Sequence, residues 1–274
     1  MNNTKKIYFL GPQGSYTQIA ANKFVDQLSL QGELEAVSTI ARVISELVQK
    51  PDMLAVVPIE NSVEGIVRET IDNILNIEDG LSILCQCYIP IQHCLISKGK
   101  FEEIKNIVSH PQALSQCQNY ICKNFSTDIN IVSASSTSQG VQSLSDRDES
   151  WGAIGNELCA EHYELNIVAK NINDVADNKT RFVLIGRGAA QKQERTSMAF
   201  STKNEPGALL RVLEIFKKHE LNMVYLESRP SKKVFGEYVF YVDIDCGADK
   251  IKEALVNIER YCNFYKLLGS YSVI

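Results

Sequence analysis

Asp177-Asn178-Lys179-Thr180-Arg181-Phe182-Val183-Leu184-Ile185-Gly186 sets a polar run directly ahead of an unbroken apolar one. The Phe-Val-Leu-Ile portion reads as a fully buried strand, with a hydroxyl and a guanidinium at its entrance. Threonine at a strand start says little by itself, because its β-branched side chain favours strands anyway. The stretch gains meaning from three other polar runs in the chain: Pro58-Ile59-Glu60-Asn61-Ser62, Ser135-Ser136-Thr137 and Glu227-Ser228-Arg229-Pro230.

Working outward, short apolar runs alternate with helical patterns. Ile7 to Leu10 predicts a strand, and Ser15 caps a helix carrying Ile19, Ala20 and Phe24. Ile40, Val43, Ile44, Leu47 and Val48 follow the spacing of an amphipathic helix, with Thr39 near its start. Leu54–Val57 reads as a buried strand ended by Pro58, and Val67, Ile71, Ile74 and Leu75 mark the next helix. Further strands are expected near Leu81–Ile96, Ile107–Ser109, Ile129–Ala134, Trp151–Ile154 and Ile167–Ala169. The helices between them span Pro111–Asn124, Thr137–Leu144 and Asn156–Tyr163. This alternation argues for sheets covered by helices, in two successive α/β lobes because Ser82–Ser97 reads as a long crossing segment. Ligands in such folds sit at strand carboxyl ends, often in a cleft between lobes. The aperiodic stretch Arg187–Arg195 is a linker. Beyond it, Thr196–Ser201, Pro206–His219, Asn222–Ser228, Tyr238–Ile244, Asp249–Tyr261 and Tyr265–Tyr271 give the order βαββαβ, a ferredoxin-like unit with a sheet edge suited to pairing with a second copy.

The bulk numbers narrow the classes of function. A chain of 274 residues, 45% hydrophobic and 22% charged, has the composition of an ordinary globular protein with room for two or three cores. No apolar run approaches the roughly 20 residues of a membrane span, and Met1–Lys6 leads into an apolar run too short for a signal peptide. No membrane role is expected, and the cytoplasm is the expected location. The 28 Lys+Arg against 33 Asp+Glu include no basic block, so nucleic acid is not an expected partner. Eight cysteines contain no Cys-x-x-Cys pair and mostly fall in apolar periodic stretches. They read as small core residues, with no structural metal expected.

Each motif has a bland alternative. Gly11-Pro12-Gln13-Gly14-Ser15-Tyr16 opens a helix and suits a carboxylate or phosphate, or is only a tight turn with its cap. It is neither a dinucleotide fingerprint nor a Walker loop. Pro58–Gly65 carries more polar groups than a capped loop needs. Ser109-His110-Pro111-Gln112-Ala113 and Ser133–Thr137 each lie at a strand-to-helix junction, where hydroxyls and N–H groups are anion donors. His110 lacks a nearby carboxylate and reads as structural. No Gly-x-Ser-x-Gly elbow supports a nucleophilic triad. Gly207 in a first helical turn permits close approach, and Pro230 stops a strand ladder.

In order, these motifs resemble the prephenate dehydratase family with a C-terminal regulatory ACT domain. The resemblance runs through Gly11-Pro12-Gln13-Gly14, Pro58–Ser62, His110–Ala113, Ser135–Thr137, Asn178–Phe182, Pro206–Leu209 and Glu227–Pro230. Two local departures are Ser15-Tyr16-Thr17, where the family usually shows Thr-Phe-Ser, and Gln139-Gly140 after the Ser-Ser-Thr run. No chorismate mutase segment is expected ahead of Ile7.

The implied fold is a two-lobed, periplasmic-binding-protein-like α/β catalytic domain (1–187) plus a C-terminal ferredoxin-like βαββαβ ACT domain (196–274). Lobe one spans about 1–80 plus 181–187, and lobe two about 81–180. The implied activity is that of a carbon–oxygen lyase in phenylalanine biosynthesis, converting prephenate to phenylpyruvate with loss of CO2 and water and without a cofactor or metal. Thr180 is the implied catalytic donor. Asn61, Ser62, Gln112, Ser136, Thr137, Arg181 and Phe182 are implied substrate contacts, with Arg181 either binding a carboxylate or supporting Thr180. Gly207, Ala208, Leu209, Leu210, Glu227, Ser228, Arg229 and Pro230 would bind L-phenylalanine between paired domains of a homodimer or homotetramer. The competing readings are a binding sensor built on the same two-lobed plan and a dehydratase acting on arogenate.

Overall fold

The computed structural model describes residues 5–50, 52–77, 80–190, 192–231 and 237–274. Residues 1–4 of the N-terminal stretch Met1–Lys6 and Gln191 of the expected linker lie outside these. The first lobe opens with β1 (Lys6–Leu10), α1 (Tyr16–Leu28), β2 (Glu33–Val37), α2 (Ile40–Gln49) and β3 (Leu54–Asn61). It continues through β4 (Gly65–Ile66), α3 (Arg68–Leu75) and β5 (Leu81–Pro90). Ser15 caps α1 by accepting from the Gln18 N–H, and Thr39 caps α2 by accepting from Arg42. Each cap satisfies an orphan donor at the helix start. The second lobe comprises β6 (Cys94–Ser97), β7 (Asn106–Ser109), α4 (Pro111–Gln116), α5 (Gln118–Asn124) and β8 (Asn130–Ser133), then α6 (Thr137–Gln142), β9 (Trp151–Gly155), α7 (Glu157–His162) and β10 (Asn166–Ala169). The expected single helix over 111–124 is broken at Cys117, whose φ of −121° is not helical. The chain then returns to the first lobe as β11 (Lys179–Arg187).

The C-terminal unit is β12 (Arg195–Thr202), α8 (Ala208–Lys218), β13 (Met223–Pro230), β14 (Tyr238–Ile244), α9 (Ala248–Glu259) and β15 (Cys262–Val273). Its strand order β13-β14-β12-β15, all antiparallel, is the ferredoxin-like arrangement.

Among the described residues there are two sheets. The smaller is β10-β6-β9-β7-β8 in the second lobe. The larger runs β13-β14-β12-β15-β5-β11-β3-β1-β2, with β4 on β3, and so joins the C-terminal unit and the first lobe into one ten-stranded sheet. The joint is β15: Cys262 to Tyr271 pair with β12, and Ser272 and Val273 then pair in parallel with Cys85 and Gln86 of β5. β5 therefore belongs whole to the first lobe, which reaches Pro90, and β11 belongs there from Lys179. The chain crosses between lobes at Ile91–His93 and at 170–178. The expected lobe limits at 80/81 and 180/181 thus fall elsewhere, because β5 is held by pairing with β11 along its length.

β11 is buried on both faces, as its composition predicts. Phe182 and Leu184 pack with Cys85, Cys87, Ile7, Phe9 and Phe24 beneath α1. Val183 and Ile185 join a second core under α2 and α3 that also takes in Ala199, Tyr241, Leu268 and Tyr271 of the C-terminal unit. The C-terminal sheet thus shares apolar burial with the first lobe on one face and covers its other with α8 and α9. Cys85, Cys87, Cys94, Cys117, Cys159 and Cys246 are buried core residues, whereas Cys122 is exposed. Among the described residues no helix is long and apolar enough to cross a membrane.

Gly269 makes the joint possible. Its φ is +149°, and a Cβ there would stand 2.4 Å from the Ile83 carbonyl oxygen of β5. Gly65 has a φ of +79° but open space around the same position. Gly269→Ala is therefore expected to cost about 2–4 kcal/mol of stability in denaturant unfolding, against about 1 kcal/mol for the strain-only control Gly65→Ala. Equal costs would show that the close approach at the joint carries no stability.

Candidate active site

A cleft of about 350 Å³ lies between the two lobes. Its first-lobe wall is the β1–α1 turn with Gly11, Ser15, Tyr16 and Thr17, the end of β3 with Pro58 and Asn61, and the entrance of β11 with Thr180 and Phe182. The second-lobe wall is His110, Gln112, Ala113 and Gln116 at α4, and Ser135, Ser136 and Thr137 leading into α6. Four strands, β1, β3, β7 and β8, direct their carboxyl ends here, as the rule for open α/β sheets requires. Leu10, Ile40, Val67, Ile91 and Phe182 supply apolar surface, and no Lys, Arg, Asp or Glu side chain is among the lining residues. Such a cleft fits a small molecule with an apolar body whose polar groups are met by neutral donors.

Thr180 and Asn61 form the fixed pair of this site. They are register partners across β11 and β3, and Thr180 is 8% exposed. The Asn61 Oδ1 accepts from the Val63 and Glu64 N–H groups, both at 3.0 Å, which settles the orientation of the amide. Its Nδ2 therefore donates, reaching Thr180 Oγ1 at 2.8 Å and Asn178 Oδ1 at 2.8 Å. With its oxygen accepting, the Thr180 hydroxyl keeps its own hydrogen for donation, and the incoming bond polarises that O–H.

The polar chain continues across the lobes. Asn178 Nδ2 donates to Gln116 Oε1 of the second lobe at 3.1 Å, and His93 Nε2 lies 3.1 Å from the same oxygen. Tyr16 donates to the Gln92 carbonyl at 2.7 Å and lies 3.2 Å from His93 Nδ1. Asn156 Nδ2 donates to the Gly14 carbonyl at 2.8 Å, a second tie between lobes. Burial lowers the pKa of His93, and the bond to Gln116 only partly offsets it. Burial pushes the Tyr16 phenol well above its usual value. Both stay neutral near pH 7 and act as hydrogen-bonding struts. Ser15, His110 and Ser136 each cap the helix they precede, accepting from Gln18, Gln112 and Gln139 respectively.

Of the residues singled out from sequence, Thr180, Asn61, Gln112, Ser136, Thr137 and Phe182 meet in the cleft. Ser62 does not. Its hydroxyl accepts from the Lys179 N–H at 2.9 Å, and it lines a separate cavity of about 310 Å³ between the first lobe and the C-terminal unit. Arg181 does not either, because successive strand residues face opposite ways. It is 2% exposed on the far face of β11, 2.6 Å from Asp243 Oδ2 of β14 and 3.0 Å from Glu60 Oε2. Burial disfavours the guanidinium's charge more than any one neighbour favours it, but Asp243, Tyr241, Tyr271 and Glu60 together outweigh burial and hold the pKa well above the ordinary value.

Gly207, Ala208, Leu209 and Leu210 line a cavity of about 340 Å³ with Tyr238 and Phe240. Arg229 and Pro230 line a different one of about 310 Å³ with Asp72. Arg229 donates to both Asp72 oxygens on α3, at 3.0 and 3.1 Å, while Tyr225 donates to Glu227. Ser228 is exposed on β13. Among the described residues the two segments therefore line two different cavities, which share Glu237. Gln116 and His93 of the cleft are not among the residues singled out from sequence: Gln116 lies inside an expected helix and His93 in an expected crossing segment.

Two α/β lobes around a neutral-donor cleft, extended by a ferredoxin-like unit through a shared sheet, define a class of two-lobed small-molecule-binding protein carrying a C-terminal accessory domain. The prephenate dehydratase family model matches residues 7–190, and the chain belongs to that family of hydro-lyases. It is 39% identical over 98% of its length to the prephenate dehydratase of Methanocaldococcus jannaschii, covering 98% of that protein. It is 30% identical to the chloroplastic arogenate dehydratase/prephenate dehydratase 2 of Arabidopsis thaliana, covering 73% of that protein. The crystal structure of prephenate dehydratase from Arthrobacter aurescens in complex with L-Phe superposes with a TM-score of 0.88 at 29% identity, over 97% of this chain and 90% of that one.

His93 gives the site a pH signature. Its folded-state pKa is depressed, so the unfolded chain binds more protons in acid; the stability is complete above the unfolded value of about 6.5 and is lost as pH falls below it. His93→Gln is expected to flatten this acid limb in denaturant melts between about pH 5 and 8. An unchanged slope would show that His93 titrates freely.

Proposed function

We propose that the cleft binds prephenate and converts it to phenylpyruvate, with Thr180 as the donor to the departing hydroxyl. The observation that carries this reading is the Thr180 hydroxyl in the cleft, with its oxygen already accepting from an Asn61 amide of fixed orientation. In the reaction the bond from the ring carbon to its carboxylate breaks and CO2 leaves. That electron pair moves through the ring diene as the opposite C–O bond breaks, and the hydroxyl departs with one proton as water. Prephenate carries two negative charges and phenylpyruvate one, so one proton is consumed. Thr180 supplies it as it develops in the transition state and recovers it from solvent. A threonine hydroxyl is a weak acid, and the Asn61 hydrogen bond to its oxygen eases donation by stabilising developing negative charge. Ser136, Thr137 and Gln112 hold the carboxylates with neutral donors, and Phe182 packs against the ring.

Arogenate, which carries an ammonium in place of the ketone, fits less well: the lining residues offer it no carboxylate. The C-terminal unit is read as an ACT regulatory domain that binds L-phenylalanine. The ferredoxin-like strand order and the L-Phe complex of the Arthrobacter relative support this. Since the two expected binding segments line separate cavities within one chain, their joint site is placed between paired units. The outer strand β13 offers an edge for that pairing, with Val224 and Leu226 exposed on it. A homodimer or homotetramer in the cytoplasm follows from the same reading.

The test is turnover of prephenate by the purified protein, read as phenylpyruvate with and without L-phenylalanine, and with arogenate in parallel. Thr180→Ala is expected to lower kcat by about 10²- to 10⁴-fold, the scale of a lost proton-transfer group. Near-wild-type turnover in that variant would remove Thr180 from the chemistry.

A further inference from the structure

Behind the catalytic pair, on the opposite face of the same two strands, lies a buried charge cluster that the reaction does not use. Thr180 pairs with Asn61 across β11 and β3, and the next rung pairs Arg181 with Glu60. Arg181 Nη1 donates to Gln86 Oε1 of β5 at 3.2 Å and stands 2.6 Å from Asp243 Oδ2 of β14, while Nε stands 3.0 Å from Glu60 Oε2. Asp243 is 0% exposed, and its other oxygen accepts from Ser197, whose hydroxyl lies 3.1 Å from that of Tyr241 and 2.7 Å from that of Tyr271. The Arg181 guanidinium also lies over the Tyr225 ring, 5.8 Å from its centroid. Asp243 and Tyr225 of the C-terminal unit thus both meet β11 at Arg181.

We propose that Arg181 is a positioning residue: Asp243 of the C-terminal unit clamps it, and through β11 the clamp sets where the Thr180 hydroxyl stands. This rests on the activity and effector reading above and adds the element that links the two. Three observations favour positioning over simple docking. The clamped residue is covalently adjacent to Thr180, and Glu60 is adjacent to Asn61, so both halves of the catalytic pair are anchored to the cluster. The joint strand ends at the same place, since Val273 pairs with Gln86 and the Ile274 N–H donates to the Gln86 carbonyl at 3.0 Å. Finally, Nη1 directs its hydrogen bond to Gln86, leaving the Asp243 contact ionic and Nη2 without a hydrogen-bond partner. A small movement of β14 can re-seat Asp243 across both nitrogens. In a buried site a carboxylate cannot leave the guanidinium without stranding a charge, so β11 must follow β14. A displacement of the order of 1 Å at a reacting group is enough to slow a reaction by about 10²-fold.

The experiment compares Asp243→Asn with Asp72→Asn. Asp72 forms another ion pair across this boundary, to Arg229, but from α3 and away from β11. Melting temperature, kcat and KM for prephenate, and inhibition by L-phenylalanine are read for each, with turnover well below the melting point. Asp243→Asn is expected to lower kcat by about 10- to 100-fold with KM little changed, and to blunt phenylalanine inhibition. Asp72→Asn is expected to lower the melting temperature and leave kcat unchanged; because Asp72 holds Arg229 of the expected effector segment, the comparison between the two variants rests on kcat. Should Asp243→Asn not fold, Arg181→Lys keeps the buried positive charge, loses the fork, and is expected to show the same kcat loss. A folded Asp243→Asn or Arg181→Lys with wild-type kcat and inhibition overturns the proposal and leaves the cluster a docking contact. Absence of wild-type turnover overturns the activity reading first, and this proposal with it.

Discussion

The guanidinium of Arg181 constrains more of this molecule than any other group. A buried cation requires counter-charge, and here the two carboxylates come from different parts of the chain, Glu60 from β3 and Asp243 from β14. Removing one partner from such a cluster costs about 3–5 kcal/mol, whereas replacing the whole cluster by apolar residues can be neutral. Its contribution is therefore to arrangement: only one placement of the C-terminal sheet brings Asp243 to Arg181. β15 enforces the same placement through the backbone, crossing from one unit's sheet to the other's beside Gln86. The apolar contacts of Ala199, Tyr241, Leu268 and Tyr271 with the first lobe's core then supply burial without having to specify register.

Period and capping made much of the fold legible in the sequence. Ile40, Val43, Ile44 and Leu47 do form the buried stripe of α2, Ser15 and Thr39 do cap their helices, and Phe182 to Ile185 do lie in a strand buried on both faces. Long-range pairing was not legible. β2, whose Glu33 and Glu35 break an apolar run, was missed because parallel pairing with β1 holds it at the sheet edge. β5 reads as a segment crossing between lobes because nothing local says that it pairs with β11 on one side and β15 on the other.

The same distinction explains the site. Thr180, Asn61, Gln112, Ser136, Thr137 and Phe182 sit in polar runs at strand ends, and strand ends are where the architecture puts the cleft. Arg181 shares such a run but not such a place. Strand alternation alone turns it away from whatever Thr180 and Phe182 face, so its exclusion was available in the sequence once β11 was read as regular. Ser62 was lost differently, to the β3–β11 boundary, where its hydroxyl takes the Lys179 N–H. Gln116 and His93 take their meaning from Asn178 and Tyr16, distant in sequence.

Turning Arg181 away also has a chemical consequence. A free guanidinium facing the cleft would hold a substrate carboxylate firmly, and firm binding of the ring carboxylate opposes its departure as CO2, because the ground state gains what the transition state loses. On the opposite face, Arg181 is matched by Glu60 and Asp243, so its charge is compensated before it can act across the sheet. The cleft is left with dipoles: hydroxyls, amides and a neutral imidazole. Dipoles can hold a dianion in place without fixing its charge, while in the proposed reaction the one strengthened donor, Thr180, would meet the oxygen on which negative charge grows as the bond breaks. The cation that gives the fold its arrangement is thereby separated by a single strand from a site whose chemistry works best without one.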